Sequence, residues 1–158
     1  IYDIGCYPVS TARYLFGREP ERAVSLIERH PEWKTDILSS GMLDFGGAHA
    51  TFTVGTRTFP DQHVSALGSS GNVTVEIPFN TYPDVPVHVE VHDGIGSRRV
   101  AFGPFDHYRG EMESFSRAVR EDASEAPTPP SDALANQRVL DALFASAKSG
   151  NWESVAKD

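Results

Sequence analysis

Asp3 and Tyr7 are the residues whose types and spacing best suit chemistry. They stand four positions apart in DIGCYPVSTARYLFG, residues 3 to 17, at the start of a helix-like stretch. Pro8, with its fixed φ, suits a first helical turn, and Gly17 suits a left-handed stop. A turn already helical at Asp3 brings the two side chains to one edge. A helix that begins only at Pro8 leaves both in the entry turn, with their placement set by what Gly5 permits. In either geometry the exposed N–H groups of a helix N-terminus favour the ionised carboxylate, and a neighbouring phenol can give or take a proton. An ordinary capping aspartate beside a half-buried tyrosine gives the same pattern.

Other chemistries find less support. No G-x-G-x-x-G follows a strand and no G-x-x-x-x-G-K-[ST] occurs, so a nucleotide site within this chain is not indicated. GIGSRR, residues 94 to 99, lies between two strand-like runs and reads as a hairpin turn. Six histidines raise the question of a metal, and His88 and His92 project from one strand face around Glu90. Residues four apart on a strand are separated by about 13 Å, however, so the pattern reads as a polar sheet face or subunit interface, with no metal ligand assigned. No G-x-S-x-G elbow exists. His107 and Tyr108, just ahead of a later helix, are candidate substrate-binding residues at a pocket rim, with capping and core packing as the alternative. Arg13, six positions after Tyr7, points elsewhere on the helix and reads as the partner of a surface acid. Trp33 and Trp152 read as packing anchors rather than sugar-stacking platforms. Cys6 has no basic neighbour in sequence, so a reactive thiol is not expected.

The elements that must position these residues fall in three zones. A short helix comes first, with Ala12, Tyr14, Leu15 and Phe16 as its apolar surface. From about residue 20 to 104 the chain reads as seven strands, RAVSLIERH, DILSSGMLDF, HATFTVGT, HVSALGSS, NVTVEIPF, VPVHVEVHD and RRVAFG, divided by Gly, Pro, Asn and Asp. Links such as GG at 46 to 47 and DGIG at 93 to 96 are too short for parallel crossovers, so the sheet is expected to be largely antiparallel. Val85, Val87, Val89 and Val91 alternate with His88, Glu90 and His92, which predicts one face buried against helices. Met112, Phe115 and Val119 then form a helical stripe. SEAPTPPSD breaks the chain, and Ser131 is a candidate N-cap for a last helix in which Leu134, Leu140, Leu143, Phe144 and Ala147 supply the apolar side before Gly150 stops it. The fold class is α+β.

Composition narrows the partners. The 158 residues are enough for one domain with a core. A formal charge of −8 repels nucleic acid and anionic lipid surfaces alike. No run approaches the 18 apolar residues of a membrane span. A single cysteine fits a reducing compartment, and the cytoplasm is the expected location. The chain opens on Ile1, which points to a piece of a longer protein with any targeting signal upstream.

DIGCYPVSTARYLFGREP resembles the segment that opens the C-terminal domain of the glucose-fructose oxidoreductase, inositol dehydrogenase and MocA (Gfo/Idh/MocA) family, where Asp-x-Gly-x-His or Asp-x-Gly-x-Tyr precedes a helix ending in Leu-x-Gly-x-x-Pro. LDFGGAHATF is similar to the family's strand pair after that helix, GSSGNVTVEIPF to its Gly-x-x-Gly strand ending in Pro-Phe, and HYRGEMESFSRAV with DALANQRVLDALFASAKSGNWESV to its two closing helices. The likeness runs through nearly the whole chain in order.

The resemblance implies that residues 1 to 158 are one C-terminal substrate-binding and oligomerisation domain of an NAD(P)-dependent oxidoreductase. A Rossmann domain, absent here, would bind most of the NAD or NADP and carry a Glu-Lys-Pro segment. The sheet is expected to be open, with helices on one face and subunit contacts on the other, giving a homo-oligomer. Asp3 and Tyr7 take catalytic positions by the same likeness. Moving a hydride from a C–H to nicotinamide is easier when the adjacent hydroxyl loses its proton, and Tyr7 would accept it while Asp3 orients or balances charge. A free phenol titrates near 10, so a cationic neighbour, the lysine of the absent domain, is needed beside it. Tyr where many members have His resembles the glucose-fructose oxidoreductase, dihydrodiol dehydrogenase and xylose dehydrogenase versions, which points to a sugar, cyclic polyol or trans-diol substrate. The fragment alone is expected to be inactive. A non-catalytic assembly domain of the same fold is the alternative.

Overall fold

The computed structural model describes residues 1–121 and 128–156. The order is α1 (Cys6–Phe16), β1 (Arg22–Arg29), β2 (Asp36–Asp44), β3 (His49–Gly55), β4 (His63–Gly68), β5 (Gly71–Glu76), β6 (Val87–Asp93), β7 (Gly96–Phe102), α2 (His107–Arg120), α3 (Pro130–Ser149) and β8 (Glu153–Ser154). The expected α+β class is present, with every strand pair antiparallel. The seven expected strands are not pooled in one sheet. They divide into β3-β2-β1-β8 and β4-β5-β6-β7. Local sequence fixes that a run is a strand, but which edge it joins is a non-local matter, and the link at 56 to 62, with Pro60, leaves β3 and β4 each at the edge of its own sheet. β8 is two residues long, too short for a period-two pattern to reveal.

The described residues form two compact units, one of 1 to 59 with 128 to 156 and one of 60 to 121. In the first, the sheet lays one face against α3. Ala23, Leu43 and Phe45 meet Val139, Leu140, Ala142 and Leu143 in a single buried cluster, which Val9 and Ala12 of α1 join. Gly46 and Gly47, both at positive φ, turn β2 into β3, with the Phe45 N–H donating to Ala48 O across the loop. A two-residue hairpin matched to the strand twist needs such a pair. The left-handed stops expected at Gly17 and Gly150 are present, each N–H donating back to a carbonyl four residues earlier. The opposite sheet face carries Val24, Leu26, Leu38 and Met42, alternating with the buried set, and Leu26 is 78% exposed.

Two polar contacts lock α3 to β1. The Ser25 N–H donates to Ser146 Oγ at 3.0 Å and the Ser25 hydroxyl donates to Leu143 O at 2.6 Å, both buried. β8 pairs with β1 only at Arg22 and Ala23, so the helix supplies at Ser25 the partner that a neighbouring strand would otherwise give. α3 differs from its expected pattern. Its N-cap is Pro129 with no side-chain cap, so Ser131 lies inside the helix, and Leu134 and Ala147 face solvent while Val139, Ala142 and Ser146 are buried instead. Residues 124 to 127 of the proline-rich break lie outside the described residues.

In the second unit β4 to β7 form a meander. Its Val64, Val75, Val89 and Val100 are in register on one face, with Ser65, Thr74, Glu90 and Arg99 on the other. The expected burial of the valine face is not found. No described residue of this unit is buried, and the α2 stripe of Met112, Phe115 and Val119 stays more than half exposed. Val85 lies outside β6, in the turn before it.

Replacing Ser146 with Ala leaves the buried Ser25 N–H without its acceptor and is expected to cost about 1–3 kcal/mol in a urea unfolding titration. A loss below about 0.3 kcal/mol would mean that this bond does not hold α3 in place. Two carboxylates predict the response to acid. The Gly46 N–H and then Arg22 hold Asp44 below the usual carboxylate range, and Arg98 and then the Ile95 N–H do so for Asp93. A native value below the unfolded one gives stability that is complete above the unfolded value, about pH 4, and is lost as pH falls through the native value. The melting temperature, followed from pH 6 to pH 2, should hold above about pH 5 and drop below about pH 4, less steeply in Asp44→Asn.

Candidate active site

α1 begins through a tight turn. The Gly5 N–H donates to Ile1 O at 2.7 Å, Gly5 is itself right-handed (φ −72°, ψ −19°), and the Cys6 Sγ–H donates to Asp3 O at 3.3 Å. The chain therefore winds helically before Cys6. Asp3 lies in the turn and Tyr7 in the first turn of the helix proper, one helical repeat further on. Both side chains are exposed, the phenol by 42%. Asp3 stands two residues before the N-cap, Gly5, where no side chain caps the helix. Such an arrangement can take a hydrogen bond from a substrate hydroxyl and exchange a proton with it.

Gly5 is required by space rather than by an unusual φ. A Cβ there would stand 2.6 Å from Ile1 O and 2.9 Å from the Ile1 side chain. Cys6, between Gly5 and Tyr7, packs against the core edge.

Below the turn, the buried face of α1 is pinned by a charge cluster that sequence reading saw only in part. Arg13 is buried. Its Nε–H donates to Glu19 Oε2 at 2.7 Å, and Nη2 donates to Glu19 Oε1 at 2.9 Å and to Asp132 Oδ1 at 2.8 Å. Glu19, with Asp132 adding, holds the guanidinium above its ordinary value against the opposing effect of burial. Nη1 reaches Asn136 Oδ1 at 3.4 Å, and Asn136 Nδ2–H donates to the Cys6 carbonyl at 3.3 Å. The acid expected for Arg13 is Glu19, but Asp132 and Asn136 lie more than a hundred residues away in the chain. Their only sequence signal is a polar pair four apart on α3.

His107 and Tyr108 belong to the second unit. They open α2 with their rings 4.2 Å apart, His107 Nδ1 sharing a hydrogen bond with Thr81 Oγ1 at 3.1 Å. Asp106 does the capping, accepting from the Arg109 N–H at 3.0 Å. His88 and His92 share a strand face, as expected, and each has its own neighbours. His92 Nδ1 is 2.6 Å from Ser97 Oγ, and His88 Nδ1 is 3.8 Å from Glu76, which also takes Arg99. Among the described residues no three His, Cys, Asp or Glu side chains converge as a metal site would need. GIGSRR is the expected hairpin turn, with Asp93 paired to Gly96 across it. Trp152 packs under the Arg22 guanidinium, whereas Trp33 is 65% exposed and stacks on His30 at 4.2 Å rather than anchoring a core.

This α+β architecture with an Asp-x-Gly-x-Tyr helix entry has relatives. Residues 1–74 match the GFO/IDH/MocA C-terminal domain, and the chain carries that domain of the Gfo/Idh/MocA oxidoreductases. Over 98% of its length it is 36% identical to an uncharacterized oxidoreductase of Rhizobium meliloti, and it covers 48% of that protein. It is 28% identical to an NADP(+) D-xylose 1-dehydrogenase of Haloferax volcanii, over 95% of this chain and 46% of that enzyme. In structure, 91% of the chain matches 46% of a 3-ketoreductase from Actinomadura kijaniata, solved with TDP-benzene and NADP, at a TM-score of 0.83 and 18% identity, which is a likeness of fold. The chain thus spans about half the length of the curated relatives it matches.

Gly5→Ala should force the Ile1 carbonyl away and cost about 1–3 kcal/mol in thermal or urea unfolding. An unchanged unfolding curve would show that the turn before α1 yields freely and does not fix the start of the helix.

Proposed function

We propose that these 158 residues are the C-terminal substrate-binding and oligomerisation half of an NAD(P)-dependent oxidoreductase that acts on a hydroxyl of a sugar, cyclic polyol or trans-diol. The observation that carries this is the half-exposed phenol of Tyr7, in the first turn of a helix pinned from behind and one helical repeat from Asp3. The xylose dehydrogenase relatives support the substrate class.

In this reading Tyr7 takes the proton of the substrate hydroxyl in oxidation and returns it in reduction, while Asp3 orients the hydroxyl or balances charge. His107 and Tyr108 are the candidate substrate contacts of the second unit. NAD or NADP is bound mainly by a preceding domain, because the described residues offer no glycine-rich turn from strand to helix that would cradle a pyrophosphate, and the Gly94 to Gly96 turn joins two antiparallel strands. Bound there, the nicotinamide supplies the hydride acceptor or donor. The outer face of the first sheet, with Leu26, Leu38 and Met42 in the open, suits contact with a second subunit.

The full-length protein, assayed with NAD and NADP on a panel of aldoses, inositols and trans-diols, should turn over at least one of them. Tyr7→Phe should lower kcat by roughly 10²- to 10⁴-fold with little change in KM. Residues 1–158 alone should neither turn over nor bind NADPH tightly. An undiminished kcat in Tyr7→Phe removes the tyrosine from the chemistry, and a full-length protein without turnover would instead favour a non-catalytic assembly domain.

A further inference from the structure

We infer that Asn136, held by Arg13, is a positioning residue that sets where Tyr7 projects from α1; the inference rests on the reading of Tyr7 as the proton-transfer group. Cys6 and Arg13 are seven residues apart, two turns along one face of α1, and that face also carries buried Val9. Tyr7 follows Cys6, so its direction depends on how α1 is rotated about its own axis. The apolar contacts of Val9 and Ala12 leave that rotation loosely defined, because dispersion and hydrophobic burial are non-directional. The polar contacts are directional. Asn136 Nδ2–H holds the Cys6 carbonyl at 3.3 Å, one peptide from Tyr7, while Asn136 Oδ1 faces the Arg13 Nη1 at 3.4 Å. Arg13 is fixed in turn by the two oxygens of Glu19 and by Asp132, which lies one turn before Asn136 on α3.

The helix is therefore clamped at both ends of one face. Arg13 holds the C-terminal end, and Asn136 holds the end that carries the phenol. The amide is suited to this place because it donates and accepts at once, giving its N–H to a carbonyl and its oxygen to a guanidinium. Leu has the same branching at Cγ and can do neither. Asp keeps the acceptor for Arg13 and loses the donor for Cys6.

The test uses the full-length enzyme. A displacement of a reacting group by about 1 Å can cost on the order of a hundredfold, so Asn136→Asp and Asn136→Leu should each lower kcat by about ten- to a hundredfold with KM within about twofold. In a Tyr7→Phe background the same two changes should have almost no further effect, because the group they position is gone. With 3-fluorotyrosine placed at position 7, the fluorine resonance should shift in Asn136→Asp and stay in place in Lys148→Ala, an exposed control on the same helix. Equal losses in both backgrounds, or a fluorine resonance that does not move, would overturn the positioning role. If Tyr7→Phe itself leaves kcat intact, the proton-transfer reading fails separately, and the fluorine shift still decides whether Asn136 sets the phenol.

Discussion

The seating of α3 on β1 is the contact on which the first unit depends. Ala23 packs with Val139, Leu140 and Leu143 in one apolar cluster, but the two serine hydrogen bonds decide its register. A Ser25 N–H that no strand reaches is buried, and burying it without a partner would cost more than a bond gains in net terms. Ser146 therefore has to fall opposite Ser25, and Leu143 O opposite the Ser25 hydroxyl. With α3 placed to that accuracy, Asp132 and Asn136 arrive at the end of the helix nearest α1, where Arg13 and the Cys6 carbonyl await partners.

The site inherits its order from this chain of constraints. Tyr7 is an exposed aromatic residue on a short helix, and an isolated helix of 11 residues would be marginal in water. What holds it is the combination of buried Val9 and Ala12 with a guanidinium bound in a forked pair. A forked arginine contact fixes orientation as well as distance. A buried ion group of this kind adds little net stability beyond an apolar replacement, since desolvation offsets much of the attraction. Its value here is geometric, in that it ties α1 to α3 through directional contacts.

Much of this was legible along the chain. Helix stops at Gly17 and Gly150, the GG hairpin at 46 to 47 and the antiparallel pairing followed from residues whose backbone preferences are local. The Asp-x-Gly-x-Tyr entry was visible because it is contiguous. The division into two sheets was not, because alternation marks a strand and says nothing about its neighbour across the gap at Pro60. Period two on β6 reports two unlike faces without saying what covers the valine one. Ser131 has the side chain of a cap, but two consecutive prolines before it set the start of α3. Asn136 was invisible for a plainer reason: its role is defined by a carbonyl 130 residues earlier.

The first unit is also discontinuous in the chain. Its helix α1 and strands β1 to β3 end by residue 59, and the helix that covers them starts at Pro130. During synthesis the ribosome must deliver the whole of the intervening unit before that cover exists. The apolar side of a three-stranded sheet is meanwhile displayed without a lid, and docking of α3 joins residues 118 and 121 positions apart, a non-local closure that slows the step. A nascent chain stalled in that interval would offer the face of Ala23, Leu43 and Phe45 to a chaperone, or to an α3 borrowed from a neighbouring polysome product.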